Sequence, residues 1–186
     1  YFLLFQKDKD HWSSVSNRPP SEASPFTATY VSLRGLKSYG TKEQAERITL
    51  RFETVRAWLL KADPQDTEDR VFRLRALQLV GATAEEVVKA KDELLKTQRD
   101  DGGWAQENEL ASDAYATGQA VMILSQVQGR DRKEQELTRP VERAVEFLLK
   151  SQQPDGSWHV ASRSKPVQVF FNNGDPHGKD QFISMM

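Results

Sequence analysis

The stretch "AVEFLLKSQQPDGSW", residues 144–158, has a near-copy in "AKDELLKTQRDDGGW", residues 90–104, and a worn one in "FLLFQKDKDHW", residues 2–12. In each copy two large apolar residues close an amphipathic run and a Gln follows. A Trp stands six positions after that Gln: Gln6 with Trp12, Gln98 with Trp104, Gln152 with Trp158. The gap between the first two Gln residues has room for one more unit. "AWLLKADPQDTED" fits it, with Leu59 and Leu60 in place and Asp63 standing where Gln belongs. Such internal recurrence is the signature of a repeat architecture, in which one supersecondary unit stacks on the next.

Helices of a second kind lie between these runs. "SPFTATYVSLRGLKSYG", residues 24–40, places Phe26, Tyr30, Leu33 and Leu36 at near-helical spacing and stops at Gly40. "DTEDRVFRLRALQLVGA" does the same with Val71, Leu74, Leu77 and Val80, and "SDAYATGQAVMILSQVQG" is small or apolar from Ala114 to Val127. The Leu-Leu helices carry charged outer faces, whereas these are richer in small residues, as a helix with neighbours on several sides should be. Arg70, Arg73 and Arg75 are the exception and need an exit to water. Amphipathic helices outside and less charged helices inside describe an α/α hairpin array. Almost no segment alternates with period two, so an all-α fold is predicted.

The Gln falls at a helix end, where the last carbonyls lack partners and a side-chain amide can donate to them. Asp-Gly or Gly-Gly then turns the chain, and Trp buries its ring against the neighbouring helix while its indole N–H seeks an acceptor. The repetition therefore serves assembly, by stapling each hairpin to the next.

At 186 residues the chain suits one domain, taken as residues 1–186, with a core of useful size. Lys plus Arg, 26, nearly balances Asp plus Glu, 27, and no basic stripe appears, which argues against nucleic acid as a partner. No apolar run approaches the ~18 residues of a membrane span. With no Cys there is neither a disulfide nor a thiol nucleophile. The chain opens at Tyr1 without Met, and "KDQFISMM" stops where a further inner helix is expected to continue. A piece of a larger ring, or a ring closed by a second copy, is the expectation.

The Gln…Trp units resemble the QW repeats of squalene–hopene cyclases and related triterpene cyclases. "NRPPSEASPFTATYVSLRGLKSYG", "SDAYATGQAVMIL" and "NNGDPHGKDQFIS" are similar to segments of bacterial cyclase-like proteins with prenyltransferase/squalene-oxidase repeats. The resemblance covers nearly the whole chain. It implies an α/α toroid whose inner helices line a cavity for a polyisoprene, here as an incomplete ring of three hairpins and two half-hairpins. It also implies no cofactor, and it places the protein in the cytoplasm or at a membrane surface.

Enzymes of that family begin cyclisation with an Asp-x-Asp-Asp-Thr motif at the start of an inner helix, where the middle Asp protonates an alkene. "DPQDT", residues 63–67, is similar: Asp63, Asp66 and Thr67 match, but Gln65 replaces the central acid, and an amide cannot donate that proton. Glu68 and Asp69 follow closely, although each step along a helix rotates a side chain by about 100°. Aligning the inner helices on Leu36, Leu77 and Leu124 makes Asp66 and Asp113 equivalent, with Asp180 a third candidate. Two readings stand: independent N-caps, or carboxylates converging on one end of a cavity, where mutual repulsion raises a pKa. Asp63, Asp66, Glu68 and Asp113 are thus the candidate acids. Phe26, Tyr30, Phe72, Tyr115 and Phe182 are candidates for contact with a hydrophobic substrate, or else ordinary core.

A metal site is not predicted, because His11, His159 and His177 fall in separate turns without ligand spacing. Three functions remain open: an isoprenoid cyclase, a non-catalytic module holding a hydrophobic ligand or a protein partner, and a carbohydrate-active toroid. The last needs paired carboxylates beside exposed Trp, and the Trp residues here are assigned to staples.

Overall fold

A computed structural model describes residue 3 and residues 9–15, 18–127, 138–163 and 180–184. Among these the chain forms six α-helices: α1 (Pro25–Tyr39), α2 (Ala45–Lys61), α3 (Thr67–Leu79), α4 (Ala84–Leu95), α5 (Ala114–Val127) and α6 (Thr138–Ser151). The odd-numbered helices form an inner row, with α1 against α3 and α3 against α5, and α4 and α6 pack outside α3 and α5. This is the alternating inner–outer layout of an all-α toroid-like fold. None of the described helices is long and apolar enough to cross a membrane.

Local chemistry accounts for the boundaries. Ser24 caps α1 by accepting from the Thr27 N–H, with Pro25 at the first helical position, where its missing N–H costs nothing. Asp66 caps α3 through the Asp69 N–H, and Thr83 with Glu86 forms a reciprocal capping box at α4. The core runs along the seam between the rows, with Leu33, Val55, Leu59, Leu74, Leu77, Leu94, Trp104, Ile123 and Leu124 fully buried. In the outer row, Arg56 of α2 reaches Glu86 of α4 at 2.6 Å.

Strands appear where none was expected. β1 (Trp104–Ala105) pairs antiparallel with β2 (Ser112–Asp113), and β3 (Ser157–Ala161) pairs antiparallel with β4 (Asp180–Ser184). The segment holding Asp180 and Phe182 is thus extended rather than the start of an inner helix. Each pairing follows a Gln…Trp turn, where the extended chain needs partners for its backbone groups.

The turns are built alike, with roles that differ from expectation. The Gln98 amide does not cap α4. It donates across its own turn to the Gly102 carbonyl at 2.9 Å and outward to Pro140 of α6 at 2.8 Å. The Gln152 amide donates to the Gly156 carbonyl at 3.0 Å. Helix capping falls to the indoles instead: Trp104 Nε1 donates to the Leu94 carbonyl at 3.0 Å and Trp158 Nε1 to the Leu148 carbonyl at 2.8 Å. The ring lies across the last turn, so its N–H meets an orphan carbonyl, while the shorter amide reaches only the turn beneath it. Gly102 and Gly156 both hold positive φ, 90° and 86°, the conformation this turn requires.

A threonine on the next inner helix completes the clasp. Thr117 Oγ1 accepts from the Trp104 N–H at 2.9 Å and donates to the Trp104 carbonyl at 3.3 Å. Thr29 Oγ1 treats Trp12 in the same way, at 3.0 and 3.1 Å. Gln6 lies outside the described residues, as does the Phe2 carbonyl that would match Leu94. The Trp12 indole N–H has no partner among the described residues, and the Arg51 guanidinium sits 4.2 Å from its ring centroid.

Candidate functional site

The starts of the three inner helices carry the polar chemistry. Thr27, Glu68 and Tyr115 each stand nine positions before the aligning leucine of their helix, Leu36, Leu77 and Leu124. The fold brings them together. Glu68, 3% exposed, accepts from Thr27 Oγ1 through one carboxylate oxygen, and from Tyr115 Oη and Gln119 Nε2 through the other, each at 2.9 Å. Ser21 Oγ lies 3.4 Å from the Tyr115 hydroxyl. Burial, and then the Glu68 charge, push the Tyr115 phenol well above its ordinary value, so its proton stays in the hydrogen bond. The Gln119 carbonyl oxygen is buried there without a partner among the described residues.

Asp69 is the second buried carboxylate. It accepts from Ser24 Oγ at 2.7 Å and from the Gln65 N–H at 3.0 Å. Burial raises its pKa, and the neighbouring charges of Asp66 and Glu68 push the same way against these two donors. Asp66 itself faces elsewhere, pairing with Arg163 Nη1 at 2.9 Å while Arg163 Nη2 holds Glu107 at 2.6 Å. Asp113 accepts from the Ala116 N–H as the α5 cap and from Gln106 Nε2, each at 2.8 Å. Its pKa is raised by burial, with Arg163 among the influences lowering it.

Asp66 and Asp113 each cap their helix, one of the two readings left open by the sequence. Both lie within the field of the same cation, and Asp113 is shifted by desolvation rather than by another carboxylate. The carboxylates that do crowd one another are Asp66, Glu68 and Asp69, three neighbours at the first turn of α3. No group of three or more His, Cys, Asp or Glu side chains among the described residues is arranged to hold a metal ion.

Asp63 is exposed on the turn before α3, with the Gln65 amide on its carbonyl at 3.0 Å and on its carboxylate at 3.2 Å. The aromatic candidates divide. Phe26 is 2% exposed, 4.7 Å from the Trp58 ring, which places it in the core between α1 and α2 rather than on a cavity wall. Tyr30 and Phe72 are half-buried, with centroids 5.5 Å apart, and the Arg75 guanidinium lies 4.6 Å from the first ring and 5.1 Å from the second. Arg75 thus finds its exit over an aromatic pair. Tyr115 contributes its hydroxyl to Glu68. The side chain of Phe182 lies outside the described residues, as does His177.

Residues 87–171 match the family model of the squalene-hopene cyclase N-terminal domain. Over that stretch the chain is similar to the squalene-hopene cyclase N-terminal domain. The match covers α4 to β3, the part holding both intact Gln…Trp turns and the Asp113 cap. A terpenoid cyclase-like domain is therefore the frame for the buried network at the inner-helix starts. Glu68 and Asp69 lie before the matched segment but share hydrogen bonds or packing with it through α5.

Sequence reading missed Thr27, Ser24, Gln119, Gln106 and Arg163 as members of this network, and it raised Asp69 only as an acid close to the Asp-rich motif. The signal for the first was present: the same register position, nine before the aligning leucine, holds Thr, Glu and Tyr in the three inner helices. No local pattern marks Arg163, which arrives from beyond α6 and is distant in sequence from Asp66.

Proposed function

We propose that this squalene–hopene cyclase-like domain supplies the inner wall of a site for a hydrophobic isoprenoid and does not itself deliver the proton that starts a cyclisation. The observation that supports this reading is the engagement of Glu68, the most deeply buried of the acids at the start of α3. Three donors from α1 and α5 occupy its two oxygens, so the carboxyl is turned into the protein network rather than toward a substrate. An acid strong enough to protonate an alkene must instead present its proton to the substrate. Gln65 is occupied with Asp63, and Asp66 is paired with Arg163. Asp69 keeps its proton more readily than an ordinary carboxyl, but its oxygens face Ser24 and the Gln65 N–H.

Tyr30, Phe72 and Tyr115 are the residues we assign to ligand contact. Arg75 over the first two already satisfies the negative faces of those rings, which suits a neutral hydrocarbon alongside better than a carbocation above.

The test is incubation of the chain with squalene, with analysis of extracted products and thermal melting in parallel. The expected result is a raised melting temperature with squalene recovered unchanged, and loss of the shift in Tyr30→Ala/Phe72→Ala. Ring-containing products that vanish in Asp69→Asn or Glu68→Gln would overturn the non-catalytic reading. No shift at saturating squalene would overturn the ligand.

A further inference from the structure

The seam between α2 and α4 differs from the other clasps in having no Trp. There the turn between α2 and α3 is residues 62–66 alone, whereas residues 96–113 lie between α4 and α5, so there is no room for the strand that carries a clasping indole. The carbonyl that an indole would cap, Leu59 O, receives Arg73 Nε of α3 at 2.7 Å instead, and Arg73 Nη1 pairs with Glu93 of α4. The register position that holds Thr29 and Thr117 in the other inner helices holds Arg70 here.

What remains is an open groove of about 380 Å³ lined by Lys61, Arg70, Arg73, Lys89 and Lys96, with Asp63 and Glu93 as its acids. Both acids are engaged: Glu93 by Arg73, and Asp63 by the Gln65 amide. Glu93 sits between Lys89 and Lys96 on one face of α4, so its capture by Arg73 leaves both lysines unpaired. The side chains of Lys61, Arg70, Lys89 and Lys96 have no hydrogen-bond or ion-pair partner among the described residues, and the three lysines are exposed. Four unpaired cations from three elements thus face one concavity in a chain whose net charge is −1.

We propose that this groove binds a compact phosphate-class oxyanion carrying two or more negative charges, such as a diphosphate or the phosphomonoester head of a lipid. Arg73, paired with Glu93, holds the floor in place, Arg70 offers a planar donor fork, and the lysines supply mobile charge at the rim. The groove lies on the outer side of the inner row, apart from Tyr30, Phe72 and Glu68, so it stands or falls independently of the isoprenoid site.

Two arms distinguish the sources. Calorimetric titration of the whole chain with inorganic diphosphate tests the soluble anion, and co-sedimentation with phosphatidic acid/phosphatidylcholine vesicles tests the lipid head, against phosphatidylcholine alone. Binding in either arm is expected to weaken ~10-fold or more in Lys61→Gln/Lys89→Gln, and to weaken again as salt rises from about 50 to about 500 mM. Lys150→Gln, on the exposed face of α6, is expected to leave it unchanged. Melting curves of both variants confirm folding, since every lysine changed is exposed. Absence of binding in both arms, or binding that Lys61→Gln/Lys89→Gln leaves intact, overturns the proposal.

Discussion

The seam on the C-terminal side of α4 and the seam between α2 and α4 solve one problem with opposite materials. Both must cover a carbonyl in the last turn of an outer helix, Leu94 O in one and Leu59 O in the other. The first does so with the fully buried indole of Trp104, seated by Thr117 and closed by Gln98. The second does so with the guanidinium of Arg73, buried at 6% exposure and tied to Glu93. The carbonyl's need for a donor is constant, and the donor's identity is not. An apolar plug fills its space completely. A charged plug needs a counter-charge, and the choice of Glu93 strips neighbouring lysines of theirs. Trp, Thr and Gln are lost together: Arg73 takes over the indole's carbonyl, Arg70 stands at the Thr register and Asp63 at the Gln position.

The largest expected effect comes from Trp104→Ala, which opens a cavity and orphans Leu94 O: a loss of about 3–5 kcal/mol in urea unfolding. Gly102→Ala should cost about 3 kcal/mol, because its φ is positive and a Cβ would lie 2.6 Å from the Arg143 carbonyl. Gly156→Ala has the same backbone but only Gln152 Nε2 at 3.8 Å, so about 1–2 kcal/mol is expected, and equal losses would show that the clash is relieved elsewhere. Arg73→Met should cost about 1–3 kcal/mol, less than the Trp change, since half-buried Glu93 can turn to water. A loss as large as that of Trp104→Ala would break the contrast between the seams. Thr117→Val, which leaves the Trp104 backbone groups without their shared hydroxyl, should cost about 1 kcal/mol.

The smallest effect concerns pH. Burial raises the Asp69 pKa, so the folded chain takes up this proton more readily than the unfolded one. Stability from this group is therefore present at low pH and declines as pH rises from the ordinary carboxyl value through the raised one. Asp69→Asn can keep both hydrogen bonds, with Ser24 Oγ accepting from the new amide. It should melt higher than the parent at neutral pH, with the difference closing as pH falls. A constant difference across that range would remove desolvation as the cause.

The repeat frame was legible because its residues are chemically loud. Gln, Gly and Trp at fixed spacing admit few explanations, and the Leu-Leu pairs before them mark the outer helices without ambiguity. Assigning the donors was harder, since Gln98 and Trp104 both carry N–H groups near one helix end and only side-chain reach decides which carbonyl each meets. β1 and β2 were missed because they are two-residue pairings created by the turn, too short to show alternation. At the candidate site, Glu68 and Tyr115 were found separately, one by its place near an acid motif and the other by its ring. Their shared register with Thr27 was visible but unread, because an N-terminal polar residue on a helix is so often a cap. Phe26 shows the converse: its aromatic character is plain, whereas its direction depends on Trp58, which local sequence does not announce.

Glu68 has one more consequence, which concerns shape. Its two oxygens gather groups from α1 and α5 onto α3, so a single rigid carboxylate gauges the spacing of three successive inner helices. Sliding or splaying any one of them would leave buried carboxylate oxygens or their donors without partners, a steeper penalty than rearranging aliphatic contacts. The radius of the inner row at this end is accordingly set by a group about as wide as one peptide unit. A residue of different length at that register would be expected to tighten or flatten the bend of the whole array.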